Sequence, residues 1–362
     1  MSIATEKVIE SSLYFIGVFL YIWMNFVIIT RMGAYFGINT NTRLLIVLIV
    51  LSLSYLVSLR LERKITNKYT RILYIASVYW MGLLFIFFVT IILFDIISRF
   101  YQIPLVITMT GIGILFIIII PFALRNGRRL TMKELTFHHP LISKELTIVQ
   151  LTDLHLGSIH THKFLPRVFH KIGDKKYDCI VITGDLADGS APITSDMVEA
   201  FSNTSKPIFF VSGNHDYLNG VERFNSVIAK TPIRILKNTA ISFKGIQIVG
   251  LEYSKQKNHV FDMLDSLSLQ QNKYTVLLNH TPIRLKKLAK YPINLCLCGH
   301  THHGQIKPAH IFARLTYKEF RGLHTKNDTS LYIAPGTGNW GPPMRIGTRN
   351  EITFIHLKPQ KN

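Results

Sequence analysis

The stretch that decides the fold of the C-terminal half runs from Leu146 to Gly157 and reads LTIVQLTDLHLG. A mostly apolar run of strand length stops abruptly at a polar segment that contains Asp153 and His155. These two residues are two positions apart, and an extended segment directs such side chains to the same face. The stretch therefore predicts a buried strand whose end presents two polar side chains to a common point.

Four further runs of strand length in this half also stop at polar residues. Cys179–Thr183 leads into Gly184 and Asp185, Ile208–Ser212 into Gly213, Asn214, His215 and Asp216, Tyr274–Asn279 into His280, and Ile293–Cys298 into Gly299, His300, Thr301 and His302. The runs alternate with helical stretches, which predicts an α/β domain. Because open α/β sheets bind ligands beyond the carboxyl ends of their strands, the five loops are expected to converge on one site. The glycines are expected to allow sharp turns there.

The polar residues at the strand ends form a set of nitrogen and oxygen ligands without a thiolate. The set is Asp153, His155, Asp185, Asn214, His280, His300 and His302. This donor chemistry suits Mn²⁺, Fe or Zn²⁺. Seven ligands exceed what one ion needs, whereas two ions that share the Asp185 carboxylate would each receive four protein ligands. The sequence therefore predicts two divalent metal ions.

The ordered motifs D-x-H, G-D, G-N-H-D, H and G-H-x-H resemble the calcineurin-like metallophosphoesterase superfamily over roughly residues 146–357. The resemblance implies an α/β four-layer sandwich, with two mixed β-sheets flanked by helices. It implies that Asp153, His155, Asp185 and His302 hold one metal, and that Asp185, Asn214, His280 and His300 hold the other. It also implies that His215 is a catalytic histidine outside the ligand set, with Asp216 as its orienting partner.

Two shorter features resemble the bacterial branch of membrane-associated phosphoesterases with N-terminal transmembrane helices. One is the string TDLHLG at 152–157, and the other is Gly336-x-Gly338 followed by Pro343-x-Arg345. Arg345 is a candidate for binding a substrate phosphate through its guanidinium group, although an ordinary surface position is an open alternative. The same two interpretations apply to Arg349.

Several residues near the motifs keep an open role. Asp188 is either a hydrogen-bond partner of a ligand histidine or a solvent-exposed turn residue. No motif places His160, His162 or His303 in the site, so the sequence favours a structural role for them. The three cysteines are too few for a disulfide framework and are expected to be core residues.

Residues 1–124 differ in composition from the rest, because all 15 histidines lie after them. With 48% hydrophobic and 17% charged residues, the chain is too apolar for an ordinary soluble enzyme. Uncharged apolar runs cover Ser11–Thr30, Leu44–Leu59, Ile72–Phe94 and Phe100–Leu124, and a helix needs roughly 20 residues to cross a bilayer. The sequence predicts an all-α bundle of four transmembrane helices over 1–124, a basic juxtamembrane linker over 125–145 and the phosphoesterase domain over 146–362.

The distribution of cations predicts the orientation of the C-terminal half. With four spans, ten near-membrane lysines and arginines lie on the side that this half shares with the N-terminus and the 60–71 loop, against three on the other side. By the positive-inside rule, the phosphoesterase domain is expected on the cytoplasmic side of the cell (inner) membrane.

The basic charge indicates a polyanionic partner, because the formal net charge of the chain is +20. Nucleic acids, nucleotides and anionic lipid surfaces compete for this role, and attachment to a membrane favours amphiphilic phosphoesters over free nucleotides and nucleic acid. The sequence predicts a hydrolase in which a metal-bridging hydroxide attacks a lipid-linked phosphoester or pyrophosphate and His215 protonates the leaving group. A nucleotide or cyclic-nucleotide phosphodiesterase is one alternative, and a catalytically silent membrane-bound ligand sensor is another.

Overall fold

A computed structural model describes residues 3–38, 41–218, 220–256 and 258–360, with side chains from Phe15 onward. The chain divides into two compact units, Met1–Phe122 and Ala123–Asn362.

Long helices make up the first unit. They are α1 (Ile3–Tyr35), α2 (Thr42–Ile65), α3 (Lys68–Tyr101) and α4 (Leu105–Arg128), the last of which continues into the second unit. Each contains a segment that is long and apolar enough to cross a membrane. Large apolar side chains on these helices, including Val50, Phe100 and Val106, are exposed. Such exposure is what a lipid solvent requires, and the helices agree with the four predicted spans.

Polar contacts connect α1 to α3 inside this unit. The indole nitrogen of Trp80 donates to Asn25 Oδ1 at 3.0 Å, and the Arg31 guanidinium lies 3.2 Å from the Asp95 carboxylate. Polar groups within apolar helices are costly unless they pair, so these contacts favour one arrangement of the two helices.

The second unit contains two six-stranded sheets, in the orders β1-β12-β2-β3-β4-β5 and β10-β11-β9-β8-β7-β6. The strands are β1 (Leu130–His139), β2 (Leu146–Leu151), β3 (Cys179–Thr183), β4 (Ile208–Val211), β5 (Ile233–Ile235), β6 (Thr239–Phe243), β7 (Ile246–Gly250), β8 (Thr275–Leu278), β9 (Leu295–Cys298), β10 (Gly322–Lys326), β11 (Thr329–Ile333) and β12 (Asn350–Pro359). Both sheets are mixed, since each has parallel central pairs and at least one antiparallel pair.

Helices cover the outer faces of the two sheets. They are α5 (Phe164–Ile172), α6 (Ser195–Val198), α7 (Val221–Ile228), α8 (His259–Ser266) and α9 (Leu285–Leu288). A further helix, α10 (His310–Thr316), has no buried residue. One apolar core lies between the sheets, with Val181 from one sheet and Val276 from the other. Two more cores lie between a sheet and its helices, around Leu165 and Leu288. These layers confirm the predicted four-layer α/β sandwich.

The five strands predicted to end at the site are β2, β3, β4, β8 and β9. β2, β3 and β4 are parallel neighbours in one sheet, and β8 and β9 are parallel neighbours in the other. Their carboxyl ends therefore bring the five polar loops to the same edge of the sandwich.

The segment 125–145 differs from the linker that the sequence predicted. α4 continues to Arg128, and β1 follows at once as an edge strand that pairs in parallel with β12, with Leu130 opposite Asn350. Edge strands are half-exposed and carry charges. Here Lys133 and Glu134 interrupt the apolar alternation that would have indicated a strand.

Candidate metal centre

The first cluster of facing ligand atoms lies where β2, β3 and β9 end. His155 Nε2 is 3.1 Å from His302 Nε2 and 3.7 Å from Asp185 Oδ2. His302 Nε2 is in turn 3.4 Å from Asp153 Oδ1. All four side chains are buried, so their nitrogen and oxygen atoms face one another rather than water.

The second cluster is centred on His280, at the end of β8. Its Nε2 lies 3.3 Å from Asp185 Oδ2, 3.0 Å from Asn214 Oδ1 and 3.2 Å from His300 Nδ1. Asp185 Oδ2 is common to both clusters. The seven residues predicted as ligands are thus brought together, in the two groups of four that the resemblance implied.

The donor set fits divalent cations. Two imidazole nitrogens 3.1 Å apart leave room for only one proton between them, and a cation is a common partner of such facing lone pairs. Carboxylate oxygens complete both groups. Among the described residues, three groups of His and Asp side chains each place three ligand atoms close enough together to hold an ion. Residues of this kind suit borderline metals rather than the thiolate-preferring ones.

The backbone at the strand ends is strained. Five of the seven residues adopt positive φ angles: Asp153 (52°), His155 (48°), Asp185 (52°), His300 (71°) and His302 (46°). Left-handed backbone is uncommon outside glycine and concentrates at functional sites, where the surrounding structure maintains it. Here the positive φ angles occur at polar residues whose side chains lie close together at the strand ends.

The glycines at the strand ends serve two purposes rather than the single one predicted. Gly184 has φ of +89° and makes the expected sharp turn. Gly213 and Gly299 are outside the left-handed region, but a Cβ would lie 2.2 Å from Asp185 Oδ1 at the first and 2.2 Å from Asp153 Oδ2 at the second. These two positions need glycine because a carboxylate approaches the backbone closely.

Asp185 and His280 shift each other's pKa values in opposite directions. Burial opposes ionisation of Asp185, but the His280 imidazole holds the pKa of that carboxyl well below its usual range. Burial likewise lowers the pKa of His280, but the Asp185 carboxylate outweighs it and raises that pKa to about 9. Burial and the nearby His280 lower the pKa of His300 to about 3. The neutral His300 ring therefore offers a lone pair at neutral pH.

All seven ligand residues lie within residues 146–304, which match the family model described as calcineurin-like phosphoesterase. This part of the chain is similar to calcineurin-like phosphoesterases.

Relatives named metallophosphoesterases extend the similarity beyond this segment. A protein of Helicobacter pylori with the name "uncharacterized metallophosphoesterase" is 31% identical over 237 residues, which cover 63% of this chain and 64% of the relative. A zebrafish protein (Danio rerio) named "transmembrane protein with metallophosphoesterase domain" is 32% identical over 232 residues, covering 59% of this chain and 53% of the relative. The chain thus spans about two thirds or less of the length of these relatives. Together with the four apolar helices, the similarity indicates membrane association.

Solved structures also align with part of this chain. A dimetal phosphatase from Danio rerio aligns over 53% of this chain and 87% of its own, with 12% identity and a TM-score of 0.35.

His215 and Asp216, which were predicted to act as a catalytic pair, form hydrogen bonds with different partners. His215 Nδ1 is hydrogen-bonded to the backbone carbonyl of Asp188 at 2.8 Å. The Asp216 carboxylate instead accepts the backbone N–H groups of Asp185, Ala187 and Gly213. Asp216 therefore stabilises the loops after β3 and β4, and the orienting contact expected from it is made by a carbonyl oxygen. This is a correction to the sequence-based role of Asp216.

The position of Asp188 favours its predicted role as a partner of a ligand histidine over that of a solvent-exposed turn residue. Its carboxylate is nearly buried, and Oδ1 lies 3.4 Å from His155 Nδ1. A carboxylate behind a ligand imidazole fixes the orientation of the ring. Asp188 thus contacts the site through its side chain and through its carbonyl.

Arg345 lies in a different environment from the one its predicted substrate role requires. It is fully buried, and its guanidinium donates to Pro335 O at 2.7 Å, Gly338 O at 2.8 Å and Asn339 Oδ1 at 3.0 Å. Nη2 also lies 3.3 Å from Nδ1 of the ligand His302. These contacts favour a role in supporting the loop behind His302. Arg349 is exposed.

The three histidines of open role have contacts of their own. His160 Nε2 accepts the backbone N–H of Asn339 at 3.0 Å, His303 Nε2 is 2.9 Å from Ile333 O, and His162 is exposed and 3.8 Å from Asp196. None belongs to a metal-ligand cluster among the residues that the structure describes. These contacts agree with structural roles.

Sequence reasoning missed the aromatic rings that border the second cluster. Tyr317 packs edge-on against His300 at 5.6 Å between ring centroids, and Tyr253 packs against His280 at 6.2 Å. Both lie in loops outside the five motifs, so no sequence signal would have identified them.

Proposed function

We propose that the protein is a membrane-anchored phosphoesterase that uses two divalent metal ions to hydrolyse phosphoester or pyrophosphate bonds of lipid-linked substrates on the cytoplasmic side. The observation that carries this proposal is the shared Asp185 carboxylate. One of its oxygens lies 3.7 Å from His155 Nε2 and 3.3 Å from His280 Nε2. A single carboxylate between two ligand clusters is the arrangement that a pair of ions requires.

In this proposal Asp153, His155, Asp185 and His302 hold one ion, and Asp185, Asn214, His280 and His300 hold the other. Divalent ions bound there would supply a water nucleophile at neutral pH and neutralise charge on the phosphoryl oxygens. The buried residues of the site exclude bulk water, whereas Asn214, His215 and His300 are partly exposed. The partly exposed residues mark the side from which a substrate phosphate would enter.

His215 is the residue proposed to transfer a proton to the departing oxygen. Its ring packs edge-on against His155, with 4.9 Å between the ring centroids. The hydrogen bond from Nδ1 to Asp188 O leaves Nε2 for the substrate. Its backbone N–H donates to Asp185 Oδ1 at 2.9 Å, which holds the residue beside the ligand clusters.

Attachment of the domain to a membrane supports the proposal of lipid-linked substrates. The four apolar helices hold the chain at a membrane, and the residues after position 124 carry 32 lysines and arginines against 17 acidic residues. Near a surface, each cation contributes about 1 kcal/mol of attraction to anionic lipid. The domain is therefore suited to phosphoesters that reside in the leaflet.

The proposal is tested with full-length protein reconstituted with Mn²⁺, Fe²⁺ or Zn²⁺. Hydrolysis of aryl phosphate mono- and diesters is compared with hydrolysis of lipid phosphodiesters and pyrophosphates in mixed micelles, which is followed by the phosphomonoester product. Asp185→Ala is the inactive control. We expect turnover that requires metal and is fastest with the lipid substrates. Faster hydrolysis of free nucleotides would overturn the substrate class, and no hydrolysis with any ion would favour a ligand sensor.

A further inference from the structure

Helix α10 exposes apolar side chains on the surface of the phosphoesterase domain. Ile311 is 49% exposed, Phe312 61% and Leu315 79%, and α10 has no buried residue. These three residues are called the α10 patch. Exposed apolar side chains that cluster on one short helix indicate a contact with another apolar surface.

The residues around the α10 patch are strongly basic. Residues 307–326 contain five lysines and arginines against one glutamate, and Lys307, Arg314 and Lys318 are exposed. Apolar side chains flanked by cations are typical of segments that lie in the headgroup region of anionic membranes. The charge therefore favours an anionic lipid surface over an apolar protein partner.

The phosphoesterase domain contacts the last turns of α4, which belong to the same unit. The backbone N–H of Arg345 donates to Ala123 O at 2.9 Å, and Asn339 Nδ2 donates to Gly127 O at 2.7 Å. These hydrogen bonds join the loop around Asn339 and Arg345 to the end of α4.

The loop that makes these contacts is also hydrogen-bonded to the segment just before α10. Gln305 Nε2 donates to Trp340 O at 2.8 Å and to Pro342 O at 2.9 Å. The basic segment that carries the α10 patch therefore begins beside the loop that holds the end of α4.

The α10 patch also adjoins the metal centre. Tyr317, the residue after α10, packs against the ligand His300. Thr301 Oγ1, between the two ligands that follow β9, donates to Phe320 O at 2.7 Å. The segment that follows α10 is therefore in direct contact with the residues that carry the ligand atoms after β9.

We propose that the α10 patch inserts into the headgroup region of an anionic leaflet and so holds the metal centre beside the phosphates of membrane lipids. The membrane contact itself is independent of catalysis. Its use in presenting lipid-linked substrates rests on the function proposed above, so the two parts need separate measurements.

The membrane contact is tested with a fluorescent probe on the full-length protein. Leu315→Cys is labelled with an environment-sensitive dye and reconstituted in nanodiscs with about 30% anionic lipid, roughly the fraction that gives cytoplasmic leaflets their negative potential. Ser205→Cys is the matched control, because Ser205 is exposed and precedes β4 at the opposite edge of the sheet. The three native cysteines are buried, which limits background labelling.

We expect the probe at position 315 to be quenched by lipids that carry a spin label at headgroup depth and to be shielded from acrylamide. The probe at position 205 should show the reverse. Equal acrylamide quenching at both positions would overturn the membrane contact, whether or not the protein is an active enzyme.

The role in substrate presentation is tested with the double variant Phe312→Ser and Leu315→Ser. The ratio of its rate on vesicle-embedded phosphoester to its rate on a soluble aryl phosphate should fall about tenfold, the effect of partly losing two buried apolar side chains. Metal content, measured in parallel, should equal that of the unmodified protein. An unchanged ratio would overturn substrate presentation, whereas absence of hydrolysis by the unmodified protein would count against the proposed function instead.

Discussion

At the level of single residues, we propose that different side chains hold the metal ions and transfer the proton. Asp185 lies between both ligand clusters, whereas His215 is held through Nδ1 by a backbone carbonyl. The two residues are adjacent in space, since His215 N donates to Asp185 Oδ1, but their substitution should have different consequences.

We expect His215→Ala to retain bound metal and to lose about 100-fold or more in turnover, which is the usual contribution of a general acid. Asp185→Ala should lose metal itself, because both clusters lose an oxygen ligand. Metal analysis of the purified variants, together with turnover of an aryl phosphate ester, distinguishes the two effects. Equal metal loss in both variants would contradict this division of roles.

At the level of secondary-structure elements, the strand ends depend on close approach of the backbone to the ligand carboxylates. Gly299 follows β9, and a methyl group there would lie 2.1 Å from Thr152 Oγ1 and 2.2 Å from Asp153 Oδ2. Neither neighbour can move without displacing β2 or the ligand. The short distance between the two loops is therefore part of the metal centre.

We expect Gly299→Ala to weaken metal binding at least tenfold, as measured by titration of the metal-free protein, because Asp153 must shift. Gly113→Ala in α4 is the matched control, since no atom lies within 4 Å of the added methyl group. If the two variants bound metal equally well, the close approach would have no functional consequence.

A second element-level contact joins the two sheets away from the metal centre. The Asp178 carboxylate, before β3, accepts the backbone N–H of Thr147 at 2.8 Å and pairs with Lys244 in the β6–β7 turn. Partial burial opposes ionisation of Asp178, but Lys244 and the Thr147 amide hold the pKa of that carboxyl below its usual value. The ionised form therefore stabilises the folded state.

We expect Asp178→Asn to reduce stability by roughly 1 kcal/mol at neutral pH, because the pair is only partly shielded from water. A lowered pKa contributes stability above the pKa of the unfolded chain, near 4, and loses it as the pH falls further. The difference in melting temperature between the variant and the unmodified protein should thus stay constant from pH 7 to about pH 4. Below about pH 4 this difference should decrease to zero. A difference that disappeared already at pH 6 would point to another group.

At the level of the whole molecule, four apolar helices precede a basic domain that is similar to calcineurin-like phosphoesterases. The side of the membrane on which this domain lies is a prediction from the ten near-membrane cations of one side. We expect Ser205→Cys to react with a membrane-impermeant maleimide in sealed inside-out vesicles and to remain unlabelled in sealed right-side-out vesicles. Permeabilised right-side-out vesicles provide the control, and labelling before permeabilisation would reverse the orientation.

The amino-acid order was enough to predict which polar residues cluster at the strand ends, the sandwich fold and the four apolar helices. The polar residues of the site could be predicted because each follows a short apolar run, as His280 follows Tyr274–Asn279. The helices could be predicted because a long uncharged apolar run is typical of a membrane span. These are local patterns, in which neighbouring residues carry the signal.

Contacts between distant segments determined the rest. A backbone carbonyl, that of Asp188, orients His215, and carbonyl groups have no signature in a sequence. Arg345 is buried because the loop around it closes on its guanidinium, and β1 is a strand because β12 pairs with it over its whole length. Each of these three features depends on which distant segments come into contact in the folded chain. Tertiary packing determines those contacts, and local sequence does not.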